Sequence, residues 1–212
     1  MIGVSGIEEI LFALANALRI PVFAAAIGAL AFVLFDLGAF FVELGRRRRQ
    51  GRREHVQEAT ASARRALGVN DTPAAAQALM PLASSAQMAD TLANLVDGHD
   101  TPGIHDRRAK ALADFDLSSL RKLERSRMLV RFGPALGLMG TLIPLSPALE
   151  GLAEGDVAQL SENLRAAFSV TVLGLLIGAI AFSISLVRDR LYAQDLSDLE
   201  YVVAALDPEE GR

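Results

Sequence analysis

The chain has 212 residues, of which 51% are hydrophobic, and its formal net charge at pH 7 is −4. It contains no cysteine, which excludes disulfide bonds and thiolate metal sites. The apolar residues are gathered into a few long runs and the charged residues lie between them, a distribution typical of membrane proteins and not of soluble enzymes. We therefore expect no enzymatic activity, no organic cofactor and no bound metal.

The N-terminal segment, residues 1–19, has no Lys or Arg before Arg19. A cleaved signal peptide begins with basic residues, so we reject that interpretation. The spacing instead predicts a short amphipathic helix on the outer membrane surface, ending at Pro21. Its apolar residues are Ile7, Ile10, Leu11, Leu14 and Leu18.

Three apolar runs are long enough to cross the hydrocarbon core of a bilayer, which takes about 20 residues of helix. They are residues 20–44, which include Asp36, residues 132–150 and residues 166–187. A buried soluble helix can imitate one such run, but three of this length favour a membrane protein. The sequence predicts an all-α integral membrane protein with three transmembrane helices and helical cytoplasmic extensions.

The basic residues orient the chain. Residues 45–131 hold sixteen of the 21 Lys and Arg, whereas residues 151–165 are acidic with Arg165 as their only base. The positive-inside rule then places residues 45–131 and 188–212 in the cytoplasm, residues 151–165 in a short outer loop, and the N-terminus outside. The arginine run at 46–53 could bind nucleic acid, but its position at a membrane exit favours an orientation anchor, so we expect no nucleic-acid partner.

The large cytoplasmic loop has three helical patterns. Residues 53–67 form the first. Residues 72–96 form the second, with Thr72 as its cap and a bend at Pro81. The third begins at residue 104 and joins the second span without a break.

A turn-rich linker, residues 97–103, lies between the last two of these helices. With His105 and Asp106 it could be drawn as a metal site. The spacing matches no pattern of metal ligands, so we interpret it as a solvated loop.

The C-terminal segment, residues 188–212, carries a heptad seam. Its charged neighbours argue against contact with lipid. The third span should therefore continue as a cytoplasmic helix that packs against another helix, in this chain or in a neighbouring copy. The seam residues are Tyr192, Leu196, Leu199, Val203 and Leu206.

Polar and small residues inside the spans are informative because polar groups are costly in lipid. The second span contains Thr141, and the third contains Ser169 and Thr171. In one interpretation these hydroxyls only bond their own backbone. In the other, the two antiparallel spans share a polar stripe. Four glycines suit close helix packing: Gly137, Gly140, Gly174 and Gly178.

The stretch from Gly137 to Thr141 with Pro144 after it, and the stretch from Thr171 to Gly174, resemble motifs of the MotA/TolQ/ExbB proton channel family. The three-span layout is similar to the TolQ/ExbB branch, because the MotA branch carries four spans. The resemblance covers roughly residues 131–201.

This resemblance implies a homopentamer in the inner membrane whose second and third spans line a pore. The pore would surround a single-span partner of the ExbD/TolR/MotB kind, and an aspartate of that partner would carry H⁺ or Na⁺ past Thr141 and Thr171. Energising members commonly have a glutamate where this chain has Ala166. A titrating carboxylate must then come from the partner or from Asp36.

Asp36 lies ten residues before Arg46, which is about 15 Å along a helix. It is either a proton site or a structural carboxylate bonded to a neighbouring helix or kept protonated. The candidate ion-pathway residues are therefore Thr141, Ser169, Thr171 and Asp36. Two functions compete with the motor subunit: a membrane scaffold that does not conduct, and a passive channel for ions or small solutes.

Overall fold

A computed structural model describes residues 4–48 and 54–207. This part of the chain is helical and contains no strand, which confirms the predicted all-α class. The helices are α1 (Val4–Ala17), α2 (Arg19–Arg48), α3 (Glu54–Leu67), α4 (Thr72–Leu79), α5 (Ala86–Val96), α6 (Ile104–Ala153) and α7 (Val157–Leu206), with a 3-10 turn at Met80–Leu82.

Three helical stretches of the described chain are long and apolar enough to cross a membrane. They are Phe12–Arg47, Ile104–Ala153 and Val157–Leu206. The prediction of a membrane protein with three crossing helices is confirmed by their length and composition.

The chain divides into two compact units. Unit 1 comprises Met1–Ala39 and Arg125–Ser185, and unit 2 comprises Phe40–Glu124 and Leu186–Arg212. Helices α2, α6 and α7 contribute residues to both units.

The break between α1 and α2 falls at Leu18, so the prediction that the first helix ends at Pro21 is wrong. The amide of Leu18 still bonds the carbonyl of Leu14 (3.1 Å), and the amide of Val22 bonds the carbonyl of Leu18 (3.0 Å). Pro21 stands in the first turn of α2, where its missing N–H would have no intrahelical acceptor in any case.

The connection between α6 and α7 is shorter than the predicted loop 151–165. Only residues 154–156 lie outside the two helices. Gly155 turns the chain with a positive φ of 79°, a conformation that glycine adopts without steric cost. The Asp156 carboxylate accepts the amide of Gln159 (3.0 Å) and so caps α7. A tight turn with a cap therefore replaces most of the expected loop.

In the large loop, the observed helix starts differ from the predicted ones by a few residues. Asp71, and not Thr72, caps α4, because its carboxylate accepts the amide of Ala74 (3.0 Å). The predicted helix 72–96 is divided at the 3-10 turn, and Ser85 then caps α5. Proline in that turn removes one amide donor, which suits a short turn better than a continuous helix.

Unit 2 has a core built from α3, α4, α5 and parts of α6 and α7. The heptad seam contributes Leu199 and Leu206, and Leu196 and Val203 pack against the same core. The seam therefore packs within this chain. The fully enclosed members of the core are Ala63, Ala75, Leu79, Met88, Leu92, Leu95, Val96, Leu199 and Val202.

Candidate ion-pathway site

Helices α6 and α7 of unit 1 meet backbone to backbone through glycines. A Cβ added at Gly174 would lie 2.5 Å from the carbonyl oxygen of Gly133 and 2.7 Å from Cα of Gly137. A Cβ at Gly133 would lie 2.8 Å from the amide nitrogen of Gly178. Side chains do not fit in such gaps, so this contact depends on small residues in the way that membrane helix pairs do.

The same contact extends in both directions along the helices. A Cβ at Gly140 would collide with the side chain of Val170, and a Cβ at Gly178 would lie 3.0 Å from the ring of Pro134. A Cβ at Gly137 would lie 3.2 Å from the carbonyl oxygen of Thr171. All four glycines predicted for helix packing therefore lie at this contact.

Sequence reasoning missed Gly133 and Pro134. Gly133 stands one helical turn before Gly137, so the spacing could have identified it as part of the same face. Pro134 lies inside α6 without ending the helix, and its ring fills the space opposite Gly178.

Thr171 is the hydroxyl residue at the centre of the glycine contact. Its Oγ1 lies 3.2 Å from the carbonyl of Ala167 on its own helix and 3.3 Å from the carbonyl of Gly137 on α6. A hydroxyl has one proton to donate, so the two carbonyls share it. The side chain thus links α6 to α7, and its oxygen keeps capacity to accept a bond.

Within the described part of unit 1, Thr141 and Ser169 bond only their own helices. Thr141 Oγ1 donates to the carbonyl of Leu138 (2.7 Å), and Ser169 Oγ donates to the carbonyl of Arg165 (2.8 Å). In the described part of the chain, no hydrogen bond joins Thr141 to Thr171. Both hydroxyls therefore match the first interpretation given above, in which they bond only the backbone of their own helix.

The α6–α7 contact has no charge of its own. Residues 132–149 and 166–187 contain no Asp, Glu, Lys, Arg or His. Asp36, on α2, accepts a hydrogen bond from Ser126 Oγ on α6 (3.1 Å) within unit 1. Asp36 is half-buried and Ser126 is buried, which is the geometry of a carboxylate bonded to a neighbouring helix.

Unit 2 contains a buried ion pair that sequence reasoning missed. Arg47 donates from both terminal nitrogens to Asp195 (3.0 and 2.7 Å), and Ser84 Oγ donates to the same carboxylate (2.8 Å). Both charged side chains are almost fully enclosed. Arg47 belongs to the run interpreted as an orientation anchor, and nothing local in the sequence indicates a partner so far along the chain.

Glu43 extends this ion pair into a network. It accepts hydrogen bonds from Arg47 (3.2 Å) and from Arg188 (3.3 Å). Nearby, partial burial lowers the pKa of the Lys122 ammonium, Glu43 opposes that shift, and Arg188 and Arg47 lower the pKa further. This network joins the end of α2 to α7 in unit 2.

No metal site is formed in residues 4–48 and 54–207: no group of three or more His, Cys, Asp or Glu side chains is placed to hold an ion there. The linker 97–103 with His105 and Asp106 accordingly forms no such group.

Comparison with protein families identifies the region that contains the α6–α7 contact. A family model described as the MotA/TolQ/ExbB proton channel family matches residues 75–200, which is more than half of the chain. The match includes the whole contact between the glycine faces of α6 and α7. No curated protein matches the chain.

Proposed function

The chain belongs to the MotA/TolQ/ExbB proton channel family, and on this basis we propose that it is the pore-forming motor subunit of an ion-driven complex in the inner membrane. Flow of H⁺ or Na⁺ through the complex would drive movement of a single-span partner of the ExbD/TolR/MotB kind. The family is of the channel type and is not enzymatic.

Thr171 is the observation that supports this proposal best. It lies inside the matched region, at the helix contact where the glycine positions leave little room for a Cβ, and its hydroxyl reaches both helices. A hydroxyl can accept and donate hydrogen bonds and can guide a proton, a water or a sodium ion, but it cannot store charge.

Storage of a proton needs a carboxylate. Spans two and three supply none, and Ala166 stands where energising relatives commonly have a glutamate. The partner would therefore bring the carboxylate that binds the ion, and no organic cofactor would be required.

The assembly we propose is a homopentamer with lipid on its outside. The N-terminus and residues 151–165 would lie outside the cell, and residues 45–131 and 188–212 would lie in the cytoplasm. This orientation rests on the distribution of Lys and Arg.

The test is ion flux into liposomes that contain the chain alone or the chain with an aspartate-bearing single-span partner. The chain alone should leak very little, because spans two and three contain no charged residue between 132 and 149 or between 166 and 187. The partner should switch flux on. Thr171→Val removes the hydroxyl at similar size and should reduce the flux by about two- to tenfold, the range expected for one lost hydrogen bond.

Two variants control this test. Thr171→Ser keeps the hydroxyl and should restore most of the flux. Ser183→Ala removes a hydroxyl of α7 that bonds its own helix (2.9 Å) and should leave the flux unchanged. Strong flux without any partner would favour the passive channel.

A scaffold is the second candidate, because the hydroxyls of Thr141 and Ser169 bond their own helices. A Thr141→Val, Thr171→Val double variant with full biological activity would favour that function over the motor.

A further inference from the structure

Arg108 forms the centre of a charged cluster in unit 2. Its side chain is buried, its Nε donates to the carbonyl of Leu95 (2.8 Å), and its Nη1 pairs with the carboxylate of Asp207 just after α7. The start of α6, the end of α5 and the end of α7 therefore meet at one guanidinium.

His99, in the linker between α5 and α6, is the second member of the cluster. Its Nδ1 lies 3.3 Å from Nη2 of Arg108. A guanidinium can only donate, so this contact is a hydrogen bond only while Nδ1 keeps its lone pair and the ring proton sits on Nε2. Protonation of His99 would place a second donor and a second positive charge against Arg108.

Protonation has the opposite effect on the contact of His105, on α6. Its Nδ1 lies 3.1 Å from Oδ2 of Asp207, and its side chain is largely exposed. A protonated His105 forms an ion pair with that carboxylate. Acid would therefore strengthen the contact of His105 while it disrupts the contact of His99.

We propose that His99 is a proton-sensitive contact that holds the linker turn on Arg108 at neutral pH and lets the turn move away when the imidazole is protonated. Histidine is the side chain whose charge ordinarily changes between about pH 5 and 8, and this sets the pH range of the experiment below.

The charged groups around His99 in the described chain are Arg107, Arg108 and His105 of α6, Asp207 after α7, and the exposed Asp97 and Asp100 of the same turn. Arg107 donates to the carbonyl of Gly98 (3.0 Å) and to Thr101, which keeps the turn itself folded. The movement is therefore local. Two cations repel a protonated His99, the carboxylate of Asp207 is already paired with Arg108 and His105, and the carboxylates of Asp97 and Asp100 are exposed to water, which weakens their attraction.

In the orientation proposed above, this cluster faces the compartment that receives the ions. Only this step rests on the proposed function. A contact that opens in acid would let ion inflow alter the surface of unit 2.

The absence of cysteine gives a direct experiment, since a single introduced thiol is the only label site. A spin label on Asp100→Cys, an exposed position next to His99, reports the motion of the turn in the full-length protein in detergent. We expect the mobile fraction to rise severalfold between about pH 8 and about pH 5.5, the range over which an imidazole titrates.

Variants separate His99 from other titrating groups. His99→Gln keeps an acceptor but cannot gain a charge, so the label should stay immobile at both pH values. His99→Lys carries a permanent charge and should be mobile at both. His105→Gln should leave the pH response in place.

A second label on Ser197→Cys, exposed on α7, should not respond to pH. A pH response that persists in His99→Gln, or an Asp100 label that is equally immobile at both pH values, overturns the proposal. A parallel response at Ser197 also overturns it, because the change would then be a general loosening of unit 2. None of these outcomes depends on ion flux.

Discussion

Helices α6 and α7 contribute to both units, but the contacts that hold the helices together differ between the two. In unit 1 they touch through glycine backbones, and the buried apolar cluster there is small, with Val33, Ile177 and Ala181 enclosed. In unit 2 a core of large side chains surrounds the same two helices, and buried charges are paired beside it.

The surfaces of the two units also differ in how many large apolar side chains they expose. Large apolar side chains stand exposed on unit 1, such as Phe35 at 77% and Phe168 at 65%. Lipid tails are as apolar as these side chains, so burying them against protein gains little, and close contact between small residues drives association instead. In unit 2 exposed leucines would contact water, so burying them in a core is favourable. The comparison indicates that each unit is built for its own solvent.

The largest effect should come from breaking the buried ion pair of unit 2. Asp195→Asn removes the enclosed counter-charge of Arg47 and leaves it only the more exposed Glu43, and losing one partner of a buried pair costs about 3–5 kcal/mol. Thermal unfolding of the purified protein, followed by circular dichroism, measures the loss.

The matched control is Asp114→Asn, which removes an exposed pair with Lys110 one helical turn away. Exposed pairs contribute less than about 1 kcal/mol. If both substitutions had equally small effects, the buried network would not hold unit 2 together, and the contrast between the units would fail.

The next effect concerns the glycine contact of unit 1. Gly174→Ala places a methyl group against the backbone at Gly133 and Gly137, and such overpacking costs about 1–3 kcal/mol. Gly28→Ala on α2 meets nothing within 4 Å and should be neutral or stabilising, since alanine favours a helix. Thermal stability and oligomer yield in detergent compare the two. A harmless Gly174→Ala would show that the helices are not in close contact.

The general architecture could be predicted from the sequence because its signals are local. Apolar runs, the turn at 97–103 and the heptad seam each depend on neighbouring residues, and they gave the all-α class, the three spans and the seam that enters the core. The four packing glycines were found for the same reason. The cap at Asp71 was missed because Thr72 beside it is an equally suitable residue.

Long-range pairings could not be predicted in this way. Arg47 and Asp195 are separated by 148 positions, and Ser84 and Asp195 by 111. A single sequence shows which face of a helix is polar but not which partner that face meets. The same limit applies to Asp36, whose contact with Ser126 depends on how α2 packs against α6.

A smaller loss of stability should follow from removing the hydrogen bond between Ser126 and Asp36 in unit 1. Ser126→Ala removes the donor to Asp36 and should cost about 0.5–1.5 kcal/mol, the usual contribution of one hydrogen bond. Asp36→Asn keeps an acceptor and should cost less. Thermal unfolding of both variants against Ser183→Ala measures the difference. A larger loss from Asp36→Asn than from Ser126→Ala would mean that the charge of Asp36, and not its hydrogen bond, is what unit 1 requires.

The smallest effect should come from Lys122 in unit 2, because its side chain is largely exposed. Its pKa is lowered from 10.5, chiefly by partial burial, with Arg188 and Arg47 adding to the shift and Glu43 opposing it.

Below the lowered pKa of Lys122, the folded protein carries an ammonium that the unfolded chain would solvate better. As pH rises from the lowered pKa towards 10.5, the unfolded chain binds more protons than the folded one, so the free energy of unfolding should rise. Lys122→Gln removes this titration and supplies an uncharged amide donor in place of the ammonium, which donates to Gln87 (2.5 Å). Between about pH 7 and 10, the unfolding midpoint of the unsubstituted chain should therefore rise relative to that of Lys122→Gln as the pH increases. A difference that stays constant with pH would show that Lys122 is solvated equally in both states, and that the charged network of unit 2 does not extend to it.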